Sequence, residues 1–441
     1  MRRAAQFLSY LSALCGILLA IKSPSGLLGG MLWLPKLWAG AWASFLAIAG
    51  GLGTVLGLAR GEPSAVWPGL LGALLGARQV RSVIGQRAPF EDAFGPDWEQ
   101  RIPADLRLRL GDKRYRLVQP PPTIVPVRQD LILGESSVGE PLLADLYEPP
   151  LDVPQTGLAV LYLHGTLWQA VDKGFLVQPL FQRLAGQGYV ILDLAYPLAP
   201  QADLFDMMAG VKQAIGWLKR CSAELHIDPA KIVLMGASGG GHLALLAAYT
   251  PNQPAFQAQA MREDTSVCGV ISLYGVTDLE AFFHEYGLAN PNQPETSTQI
   301  RDELRPRLHD RTALERWLTR KRIFPAYRHA NLPGGALLLV YLLGGTLKEV
   351  PERYRQCSPI QHAGPGCPPT LQFSGSEDFV IYASHGKRLH ENLCDAGAIS
   401  LYVEYPQTVH AFDHYFGVSR RVAPAAQAAA YDIERFLALL V

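Results

Sequence analysis

The feature that most constrains this chain is an alternation that begins near residue 142. Short runs rich in leucine, isoleucine and valine recur, and stretches with helical periodicity separate them. The runs span residues 142–146, 158–163, 189–194, 232–235, 270–273, 370–373 and 401–403. Between them lie amphipathic patterns over 206–223, 239–249, 383–396 and 425–440. Brief apolar runs punctuated by helices signal βαβ units, which build a mostly parallel sheet covered on both faces. The expected class is therefore α/β. The alternation breaks once, between Asp278 and about Pro351, over some 70 residues. A structureless loop of that length is improbable in a compact domain, so a helical cap is expected over about 279–351. Its apolar stretch at 334–345 reads equally well as a buried cap helix or a strand.

The region ahead of the alternation has a different character. Hydrophobic residues make up 49% of the chain and charged residues 18%, against about 25% charged in ordinary soluble proteins. The deficit is concentrated before about residue 80. Residues 4–21 and 37–59 are uncharged, Arg2 and Arg3 precede the first run, and 63–77 is a shorter apolar piece containing Pro68. A membrane-crossing helix needs roughly 20 apolar residues, which the second run meets comfortably and the first only just. A cleaved signal peptide is the competing account of the first run; the second run so soon after it favours a retained anchor. Trp33, Trp38, Trp42 and Trp67 lie near the run ends, as interfacial aromatic belts do. Two spans would leave the rest of the chain on the side of its N-terminus, and three would place it opposite; basic residues at every boundary leave both open. The expected organisation is a membrane anchor over 1–85, a proline-rich linker over 86–127 and an α/β domain over 128–441.

Lysine plus arginine and aspartate plus glutamate number 39 each. A nucleic-acid binder needs a basic face to displace counterions from phosphates, and none is visible. The six cysteines show no CxxC and no metal-like spacing. Cys357 and Cys367 are near enough in sequence to pair, but buried free thiols are the simpler expectation. Nothing in the sequence bears on oligomeric state.

Chemistry enters at Gly236-Ala237-Ser238-Gly239-Gly240, a GxSxG between the apolar run KIVLM and an apolar helix. A serine on a tight strand-to-helix turn is forced outward, and small neighbours let the surrounding backbone close in. The helix N-terminus then offers unpaired N–H groups to a developing oxyanion. The bland alternative, a glycine-rich turn, does not account for this context on both sides.

From these residues the chain resembles the hormone-sensitive-lipase and acetylesterase-like branch of the α/β-hydrolases, over roughly residues 128–440. HGTLW at 164–168 is similar to the family's HGGGW element, YPLAPQ at 196–201 to its YRLAPE segment, and GASGG at 236–240 to its GxSxGG turn. A membrane-anchored layout also resembles isoprenylcysteine methylesterase-like proteins. The resemblance implies an α/β-hydrolase fold with a cap, a Ser-His-Asp triad and no cofactor or metal. It implies an oxyanion hole from backbone N–H groups of Gly165, Thr166, Leu167 and Gly239, although Thr166 and Leu167 stand where the family has glycines. Asp378 matches the family's G-x-x-D-x-x-V loop, with Glu377 as the alternative acid. His410 matches its HxF element, with His414 as the competitor. The order Ser, Asp, His agrees with the fold. His164 is read as a structural histidine that ties its loop, and His242, four residues along a helix from Ser238, as turned away from the reaction. The expectation is a membrane-anchored serine hydrolase cleaving small or lipid-like carboxylic esters, with the bilayer as a second partner. Amide or formamide cleavage, acyl transfer and a non-catalytic binding role on the same scaffold are the rival outcomes.

Overall fold

A computed structural model describes residues 2–24, 27–199, 201–257, 263–287, 334–413 and 421–441. Eight strands form one sheet: β1 Val127–Glu135, β2 Pro141–Tyr147, β3 Ala159–Leu163, β4 Val190–Ala195, β5 Ile232–Ala237, β6 Gly269–Leu273, β7 Thr370–Gly375 and β8 Ser400–Tyr405. Their order is β1-β2-β4-β3-β5-β6-β7-β8. β2 runs antiparallel to both its neighbours, and from β4 to β8 every pairing is parallel. This is the α/β-hydrolase arrangement.

From β2 to β8 the sheet is largely buried on both faces, which explains why these strands read as mainly apolar runs. Because side chains alternate, Leu161, Leu163 and Leu234 enter one core layer, while Val160, Tyr162, Val233 and Met235 enter the other. Helices α9 Leu204–Arg220 and α10 Gly239–Tyr249 cover the first layer; α8 Gln178–Ala185 and the last helix, Pro424–Leu439, cover the second. Strand β1 is absent from the sequence expectations. It is an edge strand with two register irregularities and only one buried residue, so its sequence carries no alternation to detect.

The N-terminal region is four helices: α1 Arg2–Ala20, α2 Leu27–Ala41, α3 Ala43–Leu58 and α4 Pro63–Gly85. The second uncharged run, expected as one span, is a correction: it breaks at Trp42, and α2 meets α3 at a 73° bend. Among the described residues α1 is long and apolar enough to cross a membrane, and the bent α2–α3 pair passes the same test taken together. Helices α1, α3 and α4 pack through small residues; a Cβ on Gly50 would lie 2.6 Å from the Gly69 carbonyl oxygen and 2.8 Å from the Ala73 nitrogen. The expected linker is tied down rather than loose. It forms short helices α5 Phe90–Phe94, α6 Trp98–Arg101 and α7 Ala104–Arg107, buries Phe90, Ile102 and Leu106, and pairs Arg114 with Asp432.

Of the expected cap, residues 288–333 lie outside the described residues. Its ends are α11 Leu279–Gly287 and α12 Gly334–Leu343, which pack against each other; the apolar 334–345 stretch is thus a helix. Two further helices, α13 Pro351–Gln356 and α14 Ser384–Asp395, precede the last helix, α15. All six cysteines are free.

Candidate active site

Parallel strands deliver their C-terminal loops to one edge of the sheet, and a change in strand order opens a crevice there. Here β3 lies between β4 and β5. His164 follows β3, Ser238 follows β5, Tyr274 follows β6, Asp378 follows β7 and His410 follows β8, so residues far apart in sequence share one edge.

Ser238 stands between β5 and α10 with φ +54° and ψ −122°, backbone that costs a residue with a Cβ on the order of 1–3 kcal/mol. The surroundings enforce it. Ser238 N–H donates to the Leu273 carbonyl at 2.9 Å, and a Cβ on Gly240 would collide with the carbonyl oxygens of Leu163 and His164. The hydroxyl is turned outward, onto a histidine. Ser238 Oγ lies 3.1 Å from His410 Nε2, and His410 Nδ1 lies 2.7 Å from Asp378 Oδ2. Asp378 Oδ1 accepts from the N–H groups of Val380 and Ile381, both at 2.8 Å, which fixes the carboxylate's orientation. All three side chains are buried, at 5%, 4% and 7% exposure for Ser238, Asp378 and His410. With Nδ1–H donating to Asp378, Nε2 is left to accept the serine proton.

The alternatives weighed from sequence fall elsewhere. The Glu377 carboxylate accepts from the Ser23 N–H and pairs with Lys36 Nζ at 3.7 Å. His414 lies outside the described residues. His242 is directed away from Ser238: its Nε2 is 2.8 Å from the Cys357 carbonyl, and its ring sits edge-on to Trp168 at 5.3 Å. Burial lowers its pKa to about 4, so it is a neutral core histidine. His164 also ties structure together, stacking on Tyr196 at 4.5 Å while its carbonyl accepts from the Tyr196 hydroxyl at 2.8 Å.

The loop expected to bind an oxyanion passes beside Ser238. A Cβ on Gly165 would lie 3.3 Å from Ser238 Cβ, and one on Gly239 would lie 3.2 Å from the Trp168 backbone nitrogen. Gly239 opens α10, where an N–H has no intrahelical acceptor. Thr166, Leu167 and Trp168 all have positive φ, at +89°, +49° and +58°. That explains why glycines suit these positions. The Thr166 hydroxyl donates to the Ala170 carbonyl and closes the turn.

Two features had no signal in the sequence. The Tyr274 ring meets the His410 imidazole edge-on at 4.6 Å, with its hydroxyl on Asp413. Trp33, read as an interfacial tryptophan, donates its indole N–H to the His410 carbonyl at 2.9 Å.

Residues 144–309 match the BD-FAE family. The chain is 28% identical over 291 residues to LipM of Mycobacterium tuberculosis, named a probable carboxylic ester hydrolase, covering 66% of this chain and 56% of that one. It is 26% identical to Esterase LipQ of the same organism, covering 83% of this chain and 78% of that one. A propionate-bound esterase structure from Thermogutta terrifontis superposes with a TM-score of 0.48 at 22% identity, covering 69% of this chain and 91% of that one. The match thus spans little more than half of LipM.

Proposed function

We propose that the chain is a membrane-anchored carboxylic ester hydrolase of the α/β-hydrolase type, acting through Ser238, His410 and Asp378. The observation that carries this reading is the continuous hydrogen-bonded relay from Ser238 Oγ through the imidazole to Asp378, at 3.1 and 2.7 Å. His410 Nε2 takes the Ser238 proton as Oγ attacks the ester carbonyl, and Asp378 holds the imidazole and stabilises its cation. The carbonyl oxygen, now negative, faces the N–H groups of Gly239 and of the Gly165–Thr166 turn, with Leu167 beside them. His410 then protonates the departing alkoxide. Water, activated by the same imidazole, releases the acid and restores Ser238. The names of LipM and LipQ support an ester as the substrate.

The anchor rests on the N-terminal helices. Their outward faces expose Phe7, Leu14, Val55, Trp67 and Leu74, and an exposed apolar face of this kind suits contact with a bilayer. Their contacts use small residues, as helix pairs in lipid do. In this reading residues 1–85 hold the enzyme at a bilayer, 86–127 connect, and 128–441 form the hydrolase with a cap at about 279–351. A hydrolase held there favours lipid-like esters.

The test compares p-nitrophenyl acetate with long-chain acyl esters in vesicles. The wild type hydrolyses both and prefers the longer acyl chain, while Ser238→Ala, still folded, loses roughly 10⁴-fold or more. Equal turnover by Ser238→Ala contradicts the serine mechanism, and strict preference for acetate contradicts the lipid-like substrate.

A further inference from the structure

The N-terminal helices do more than flank the hydrolase; two of them hold the loop that carries its histidine. One face of α2 lies against the Asp378 and His410 loops. Trp33 packs edge-on against Phe379, with ring centres 6.4 Å apart, and donates its indole N–H to the His410 carbonyl at 2.9 Å. One turn on, Lys36 is buried at 1% exposure and pairs with Glu377, the residue before Asp378. From α4, Gln79 donates its side-chain amide to the carbonyls of Pro406 and Gln407, at 3.2 and 3.5 Å.

These contacts fall where the His410 loop needs outside support. Between β8 and residue 413 the chain has no regular ladder, and two non-glycine residues, Gln407 and Ala411, have φ of +52° and +63°. Backbone of that kind persists only where its surroundings over-determine it. Gln79 fixes the start of the loop and Trp33 fixes its middle, at the catalytic residue's own peptide. A relay that transfers a proton is sensitive to displacement on the scale of an ångström, so the grip on the His410 carbonyl is a grip on Nε2.

We propose that Trp33 is a positioning residue for His410, which makes the N-terminal helices a part of the catalytic apparatus rather than a separable anchor. The inference rests on the triad assigned above. Its consequence is that α2 joins the two roles: its opposite face exposes Leu28, Met31, Leu34 and Trp38, while its inner face sets the histidine.

The test uses the full-length protein and Trp33→Phe, which keeps the ring and removes the donor. Two readouts are taken: kcat and KM per labelled active site, and the downfield proton signal of the His410–Asp378 pair, identified by its loss in His410→Gln. The expected result is a roughly 3- to 10-fold fall in kcat, the size of one lost hydrogen bond, with KM within about twofold and the proton signal shifted. A wild-type kcat with an unmoved signal overturns the proposal. So does a loss confined to KM, or a lower melting temperature with unchanged kcat per site. Gln79→Leu, which removes both bonds at the start of the loop, is the second variant; it moves the same two readouts in the same direction, and an unmoved pair overturns the proposal even where Trp33→Phe does not fold. If the wild type hydrolyses no ester, the esterase reading falls while the proton signal still decides the positioning role.

Discussion

Two segments meet at Ser238, and both hold their backbone at positive φ by opposite means. At the Ser238 turn one residue, Ser238 at φ +54°, is strained, and glycines 236, 239 and 240 surround it. In the facing loop three consecutive residues with side chains, Thr166, Leu167 and Trp168, are strained together. The turn is held by close approach, since the backbone of β3 passes directly over Gly240. The loop is held by tethers: the Tyr196 hydroxyl on the His164 carbonyl, the Thr166 hydroxyl on Ala170, and the Ala199 N–H on the Trp168 carbonyl at 3.0 Å. A glycine is therefore required by space at one segment and replaceable by hydrogen bonds at the other.

The contrast breaks most sharply at Gly240. Gly240→Ala drives a methyl into the carbonyl of Leu163, the last residue of the central strand β3, and that of His164 just after it, so a loss of more than about 3 kcal/mol is expected. Chemical denaturation followed by fluorescence measures it; a wild-type midpoint would show that the turn has slack.

His242 lies between the two segments, on α10 and against Trp168, and gives the next largest effect. Burial holds its folded pKa at about 4, below the 6.5 of an exposed histidine. Between pH 6.5 and 4 the unfolded chain therefore binds a proton that the folded chain refuses. Stability contributed by the neutral ring is complete above about pH 6.5 and is lost as pH falls toward 4, by up to a few kcal/mol. Denaturation midpoints across this window should fall less steeply in His242→Asn than in the wild type; parallel slopes would assign the acid sensitivity elsewhere.

The smallest effect sharpens the loop. Leu167→Gly relieves backbone strain at φ +49° and is expected to leave stability unchanged or raise it by up to about 1 kcal/mol. The same variant frees the tethered turn, so kcat is expected to fall several-fold. Thermal melting and steady-state kinetics on one preparation measure both, and a large destabilisation would show that the leucine side chain carries the loop.

These differences explain what the sequence discloses. Strands β2 to β8 were legible because burial makes each largely apolar, and the Ser238 turn because its glycines are demanded by backbone contact. Asp378 and His410 were legible by their places after β7 and β8, with Glu377 one residue off the pattern; the structure sets Asp378 on His410 and Glu377 on Ser23 and Lys36. Strand β1 was not legible, because an irregular edge strand has no buried face to impose a pattern. Neither was the break at Trp42, because one uncharged run and two bent helices have the same composition. The bond from Trp33 to His410 joins residues 377 apart in sequence and leaves no local trace.

The relay from Ser238 through His410 to Asp378 is probed by the site and rate of covalent labelling with a fluorophosphonate. A single adduct on Ser238 is expected, found by peptide mass spectrometry, forming orders of magnitude more slowly in His410→Gln and strongly slowed in Asp378→Asn. An adduct on another residue, or a wild-type labelling rate in folded His410→Gln, would contradict it.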